Sequence, residues 1–189
     1  RWEMRATNHT CISPVSGLLA ILTLRGADAK DPDAQKAIDV FDGWIWEDDE
    51  KGARVAGARS ATWDSGFAAQ ALAAAAPHVD VRGPLAKVDA FLSTQQITSA
   101  SGDEQAYFRI DPTGGYCFAG VWHGWPVSDC TAEALLGRID AHGPMRRPAL
   151  EAGVRFILRT QGPDGGFGSY EPRRAQRSLD WMNPAEMFG

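Results

Sequence analysis

Asp129, Cys130 and Glu133 stand close together in the run Trp125-Pro126-Val127-Ser128-Asp129-Cys130-Thr131-Ala132-Glu133. Ser128 and Asp129 precede a helical pattern, so Asp129 sits where a carboxylate can cap a helix or where an acid can be presented at its end. Glu133 lies four residues on and shares a helix face with Asp129; on its own it also reads as an exposed helix glutamate. Three aromatic residues, Trp63, Phe118 and Tyr170, are the other candidates. An aromatic face stabilises a cation without reacting with it, and a large ring is equally at home in ordinary core packing.

Other chemistries find less support. The three cysteines, Cys11, Cys117 and Cys130, are odd in number and widely spaced, which predicts reduced thiols in a cytosolic setting. There is no CxxC pair, and His9, His78, His123 and His142 lack i, i+3 or i+4 spacing, so no metal site is expected. A net charge of −5 argues against a nucleic-acid partner. The longest apolar stretch, about Val15 to Leu24, is too short for a membrane span and contains Ser16 and Thr23. No signal-like stretch is present, and neither end reads like a natural terminus, so a piece of a longer protein is expected.

The elements that must position these residues are helical. The composition, 44% hydrophobic and 23% charged, is globular. Helices are predicted over Pro14–Leu24, with Leu18, Leu19, Ile21 and Leu22 near one face, and over Ala34–Trp46 behind the Asp31-Pro32-Asp33 start signal. Glu47 to Ser60 is charged and glycine-containing and reads as a loop. An alanine-rich helix follows over Trp63–Ala76, stopped by Pro77, whose small residues permit close helix approach. Pro84 opens a helix to Gln96 with Leu85, Val88, Phe91 and Leu92 as its stripe. Ser99–Gly115 is a long polar connection, and a helix is predicted from Asp129 to Ala141. Pro148 opens another, with Leu150, Val154, Ile157 and Leu158 inward, and a short helix is predicted over Ser178–Trp181. The class is all-α.

Two segments repeat. Ala86–Leu92 leads to Gln95 and, after an insertion, Gly115-Tyr116; Ala152–Ile157 leads to Gln161 and Gly165-Gly166-Phe167. A helical unit recurring after about 65 residues implies helix pairs stacked in a ring or solenoid.

That repeat resembles the QW motif of the triterpene cyclases. The stretch Val127-Ser128-Asp129-Cys130-Thr131-Ala132-Glu133 resembles the V-S-D-C-T-A-E signature of the oxidosqualene cyclases. Further matches fall in the family's order. Trp63–Ala68 resembles W-D-T-A-F-A, Gly114–Phe118 resembles G-G-F-S-F, and Asp164–Glu171 resembles D-G-G-F-A-T-Y-E. Asn183–Gly189 resembles N-P-S-E-V-F-G, and Thr7–Val15 resembles T-R-Y-I-C-I-G-P-V. The family's D-E-N-T is replaced by Met4-Arg5-Ala6-Thr7, and Ser13 stands for a glycine.

The resemblance implies part of an (α/α)6 barrel, or α-toroid, with QW-type repeats, and treats residues 1–189 as one partial domain from its centre. It implies an intramolecular transferase that needs no cofactor and folds 2,3-oxidosqualene into a sterol-type triterpene such as lanosterol. Asp129 would protonate the epoxide. An epoxide oxygen is a weak base, so the acid must be protonated at rest, as burial in an apolar cavity ensures. The helix N-terminus and a hydrogen bond from Cys130 would stabilise the carboxylate left behind. Glu133 would support that donor through water. Trp63, Phe118 and Tyr170 would stabilise the migrating cation. In the related squalene–hopene cyclases the motif is DxDD, because an alkene is harder to protonate; here Val127 and Cys130 replace two of the acids, which favours the epoxide. The resemblance also implies a parent bound to one face of a membrane on the cytoplasmic side, with no protein partner, and places a further cysteine and histidine of the site outside this chain.

Trp44, Trp46, Trp122, Trp125 and Trp181 are read as structural, and Gln95 and Gln161 as helix-end braces. Three alternatives stand beside the cyclase reading: a helical fragment without catalysis, a squalene–hopene-type cyclase, and a prenyltransferase-like toroid. The last needs zinc ligands whose spacing is absent.

Overall fold

A computed structural model describes residues 1–142 and 147–172; side-chain statements omit Trp2, Ala6, Tyr107 and His142. The expected helix at Ser178–Trp181, Trp181 itself and the Asn183–Gly189 motif lie outside the described residues. The described chain is mostly helical, in agreement with the all-α class. It divides into two compact units, Arg1–Ser60 and the part from Ala61 onward.

In the first unit, helices α1 (Trp2–Ala6), α2 (Pro14–Ala27) and α3 (Pro32–Asp39) enclose Met4, Cys11, Ile21 and Ala37. Both longer helices begin with a side-chain cap followed by proline, which needs no N–H partner there. Ser13 and Ser16 form a reciprocal capping box on α2, and the Asp31 carboxylate accepts the Asp33 and Ala34 N–H groups at 2.9 and 3.0 Å.

Three expectations fail in this unit. The apolar residues Leu18, Leu19 and Leu22 of α2 are 46%, 61% and 68% exposed, and Ile21 alone of that group faces the core. The helix expected to reach Trp46 stops at Asp39 and tightens into a 3₁₀ turn over Phe41–Trp44. The Trp44 indole N–H donates to the Thr10 carbonyl at 2.9 Å, a tertiary bond that a continued helix would not make. Beyond it the expected loop contains an antiparallel hairpin, β1 (Ile45–Asp48) and β2 (Gly52–Val55). Asp48 nucleates the turn by accepting the Glu50 and Lys51 N–H groups at 3.1 and 2.7 Å, and Gly52 supplies a positive φ of 64°. Arg54 pairs with Asp48 and lies 5.4 Å from the Trp46 ring across the strands.

The second unit holds α4 (Ala61–Ala75), α5 (Arg82–Gln95), α6 (Ser128–His142) and α7 (Arg147–Arg159). Helices α4 and α6 touch through glycine: a Cβ on Gly137 would stand 2.6 Å from the Gly66 carbonyl oxygen and 3.0 Å from the Ala69 Cβ. Pro84 lies within the first turn of α5, which opens two residues earlier, at Arg82. Leu92, Tyr116, Ala134 and Leu135 form the core, with Val88, Phe91, Leu150 and Ile157 packed against it.

On α7 the inward stripe differs from the expected one. Val154 and Leu158 are 42% and 57% exposed, while Phe156 is fully buried. The reason is the close seat of Gly153, where a Cβ would lie 2.8 Å from Leu135 Cδ1; that contact decides which face turns in.

Short pairings stitch the loops to the helices. Strand β3 (Tyr116–Cys117) runs antiparallel to β4 (Pro126–Val127). Tyr116 also bridges Gln96, and Phe167 bridges Gln161. The glutamine equivalent to Gln161 is therefore Gln96 rather than Gln95. Its Nε2 donates to the Gly114 and Ala149 carbonyls, both at 2.9 Å, whereas Gln95 accepts the Val121 N–H at 3.0 Å. Gly114 is required in this crossing: its φ is 95°, and a Cβ would lie 2.1 Å from the Ala152 carbonyl oxygen.

Candidate active site

The short strand β4 delivers the chain to α6, so Asp129 falls in the first helical turn, where the exposed N–H groups favour a negative charge. Three bonds hold this junction. The Ser128 N–H donates to the Ser169 carbonyl at 2.8 Å. The fully buried Thr131 hydroxyl donates to the Val127 carbonyl at 2.7 Å and accepts the Tyr116 N–H at 2.9 Å. Thr131 thus ties α6 to both strands, a role that no spacing rule points to.

The Asp129 carboxylate accepts the backbone N–H of Cys130 at 2.7 Å. The Cys130 thiol also bonds to it. Burial first, and then the neighbouring Asp129 charge, push that thiol far above its ordinary range, so it stays protonated as a donor. Cys117 lies close by, and burial pushes its thiol up to about 12. Asp129 itself is exposed in this chain. The apolar burial expected for it is not supplied by the described residues.

Glu133 is half-buried one turn further along α6. Its Oε2 accepts a hydrogen bond from Gln70 Nε2 at 2.6 Å, which joins it to α4. Sequence alone offers no reason to single out Gln70.

The three expected aromatic residues fall into two groups. Trp63 and Phe118 lie together, 6.0 Å between ring centres, with the Trp63 N–H donating to the Phe118 carbonyl at 3.3 Å. Phe67 meets the Trp63 ring edge-on at 4.8 Å. Tyr170 makes its ring contact with Trp125 and lies near Asp129. Its ring is 4.9 Å from that of Trp125, and burial, followed by the nearby Cys130, Asp129 and Cys117, pushes its phenol up. Trp125, read from sequence as structural, is therefore the direct neighbour of a candidate site ring.

Among the described residues no group of three or more His, Cys, Asp or Glu side chains is arranged to hold a metal ion. No described helix is long and apolar enough to cross a membrane. A groove of about 450 Å³ lined by Gln96, Ile97, Ser101, Glu104 and Arg109 does not include Asp129.

The chain is 33% identical to human (Homo sapiens) lanosterol synthase across 98% of its own length, and 32% identical to lanosterol synthase of Pneumocystis carinii across all of it. It is 28% identical to cycloartenol synthase of Dictyostelium discoideum, again over its whole length. It spans 27% or 28% of the length of each of these relatives. No family model matches the chain.

Proposed function

The chain belongs to the oxidosqualene cyclase family of lanosterol and cycloartenol synthases, and from that premise we propose that its full-length protein isomerises 2,3-oxidosqualene to a sterol-type alcohol with Asp129 as the proton donor. The observation that carries this reading is an acid in the first turn of α6 backed by a buried, protonated thiol, within a chain related throughout to these synthases.

The chemistry follows from the residues. The Asp129 carboxylic acid passes its proton to the epoxide oxygen. A C–O bond opens, the oxygen becomes the hydroxyl of the product, and the carbon bears the positive charge. The polyene then closes ring by ring, and loss of a proton at the last cation restores neutrality. No atom is gained or lost. The carboxylate left on Asp129 is stabilised by the helix N-terminus and by the Cys130 N–H and thiol. Glu133, held by Gln70, supports that donor through water. The faces of Trp63, Phe118 and Tyr170 stabilise charge without capturing it. Asp129 is exposed here, so the cavity that buries it is built with the remaining length of the full protein. The same holds for closure of an (α/α)6 toroid and for attachment to one face of a membrane.

The test is turnover of 2,3-oxidosqualene by the full-length protein. A tetracyclic alcohol is expected from the parent and none from Asp129→Asn; undiminished turnover by that variant sinks the mechanism. Squalene is the discriminating second substrate. Val127 and Cys130 in place of acids predict that it is not cyclised, and hopene as a product would refute the epoxide preference.

A further inference from the structure

We infer that Glu171 is a positioning residue, whose carboxylate clasps Trp125 to the backbone at Ile110 and, through the Trp125 ring, sets where Tyr170 stands beside Asp129. This rests on the roles proposed above for Asp129 and Tyr170.

The clasp is made of directed bonds. Glu171 Oε1 accepts the Trp125 indole N–H at 3.1 Å, and Oε2 accepts the Ile110 N–H at 2.9 Å. One carboxylate thus takes a donor with each oxygen, from two different segments. The Trp125 ring in turn lies 4.9 Å from that of Tyr170, tilted by 55°. Arg109 completes the frame. Its guanidinium carbon is 5.1 Å from the Trp125 ring centre, and it donates to the Gly124 carbonyl.

Packing alone does not orient Trp125, because it is 40% exposed. An indole that contributes so little to the core and yet has its N–H, its face and its neighbouring carbonyl all engaged is held for its orientation. The backbone is shaped for the same end. A Cβ on Gly168 would lie 2.0 Å from the Glu171 carbonyl oxygen, so only glycine lets the chain turn back at that distance. The Ser128–Ser169 bond then fixes the Tyr170 segment to the residue before Asp129. The Ser99–Gly115 segment, which reads from the sequence as a long polar connection, is through Arg109 and Ile110 the outer support of the site.

The experiment compares Glu171→Ala, Glu171→Gln, Trp125→Phe and Asp129→Asn in the full-length protein with 2,3-oxidosqualene, scoring kcat, KM, product mixture and thermal midpoint. Glu171→Ala is expected to lower kcat by about 10- to 100-fold, the penalty for a misplaced reacting geometry. KM should stay near the parent's. The share of incompletely cyclised alcohols should rise, because a cation whose stabilising ring has moved loses a proton early. Trp125→Phe keeps a ring and loses the N–H, and Glu171→Gln keeps one acceptor oxygen; both should fall between parent and Glu171→Ala. Parental kcat and products in Glu171→Ala and Trp125→Phe would overturn the clasp, as would a loss confined to the thermal midpoint. If Glu171→Ala does not accumulate, the Gln and Phe variants decide by the same criteria. Parental turnover by Asp129→Asn would instead bring down the proposed function, so the two failures are told apart.

Discussion

Two aspartates, each in the first turn of a helix, meet opposite surroundings. Asp33 in α3 is 5% exposed. It is gripped by Arg5 at 2.6 Å, Arg1 at 2.9 Å and His9 Nε2 at 3.0 Å. The Arg5 and His9 hydrogen bonds hold its carboxyl far below the usual carboxylate range, although burial works against them. Asp129 in α6 is exposed, and among the described residues it bonds to the N–H and thiol of Cys130. A carboxylate ringed by guanidinium groups cannot keep a proton, so it serves as a permanent anion that ties α1 to α3. Asp129 is bonded by a neutral thiol and a backbone N–H, and among the described residues no ion pair ties it to a cation. Only the second arrangement suits an acid that must hand over a proton and recover it.

The sharpest way to break this contrast is to neutralise each acid in the full-length protein. Asp129→Asn should lower turnover by about 10²- to 10⁴-fold, the usual contribution of a general acid, with little change in thermal midpoint. Asp33→Asn should lower the midpoint and leave the kcat of the folded fraction unchanged. A comparable catalytic loss from both would erase the distinction.

The acid and alkaline limbs of stability should also separate the two regions. The folded Asp33 carboxyl lies below its unfolded value of about 3.9, so under acid the unfolded chain binds the proton first. Its stabilisation is complete above that value and is lost as pH falls further, and Asp33→Asn should flatten that limb in denaturant titrations. Cys117 behaves in the opposite sense. Burial raises it to about 12, so from about pH 8.5 upward the unfolded chain releases its proton first, and stability falls on the order of a few kcal/mol by pH 12. Cys117→Ala should remove the Cys117 share of that alkaline dependence and leave the share that comes from Cys130.

The smallest effect is expected at the support between α4 and α6. Gln70→Ala should cost about 1 kcal/mol, the ordinary value of a lost hydrogen bond, measured by chemical denaturation. A much larger catalytic than thermodynamic loss would show that Glu133 acts on the donor and is more than a tie between helices.

Some of this is legible in the sequence. Proline and aspartate mark the starts of α2 and α3, and Ser128-Asp129 marks that of α6, because capping is decided within one helical turn. The alanine-rich pattern of α4 foretold close packing, which occurs at Gly66, Ala69 and Gly137. The hairpin of Ile45–Val55 was hidden, since its stability comes from Asp48 turn bonds and a Trp46–Arg54 pair rather than from alternating hydrophobicity. The faces of α2 and α7 were misjudged for a related reason: periodicity finds the apolar residues but not the neighbours that receive them. Gln95 and Gln96 differ by one position, and it is the bridge to Tyr116 and the bonds to the Gly114 and Ala149 carbonyls that mark Gln96 as the brace.

By itself, the sequence determined the helical class, the candidate acid with its adjacent cysteine, and the family. These depend on residue type and short spacing, which the covalent chain carries directly. Tertiary structure alone decided that Trp125 stands against Tyr170, that Glu171 reaches both Trp125 and Ile110, and that Asp33 is ringed by Arg1, Arg5 and His9. Those outcomes depend on which distant segments the fold brings within hydrogen-bonding distance, and neither composition nor local period encodes that.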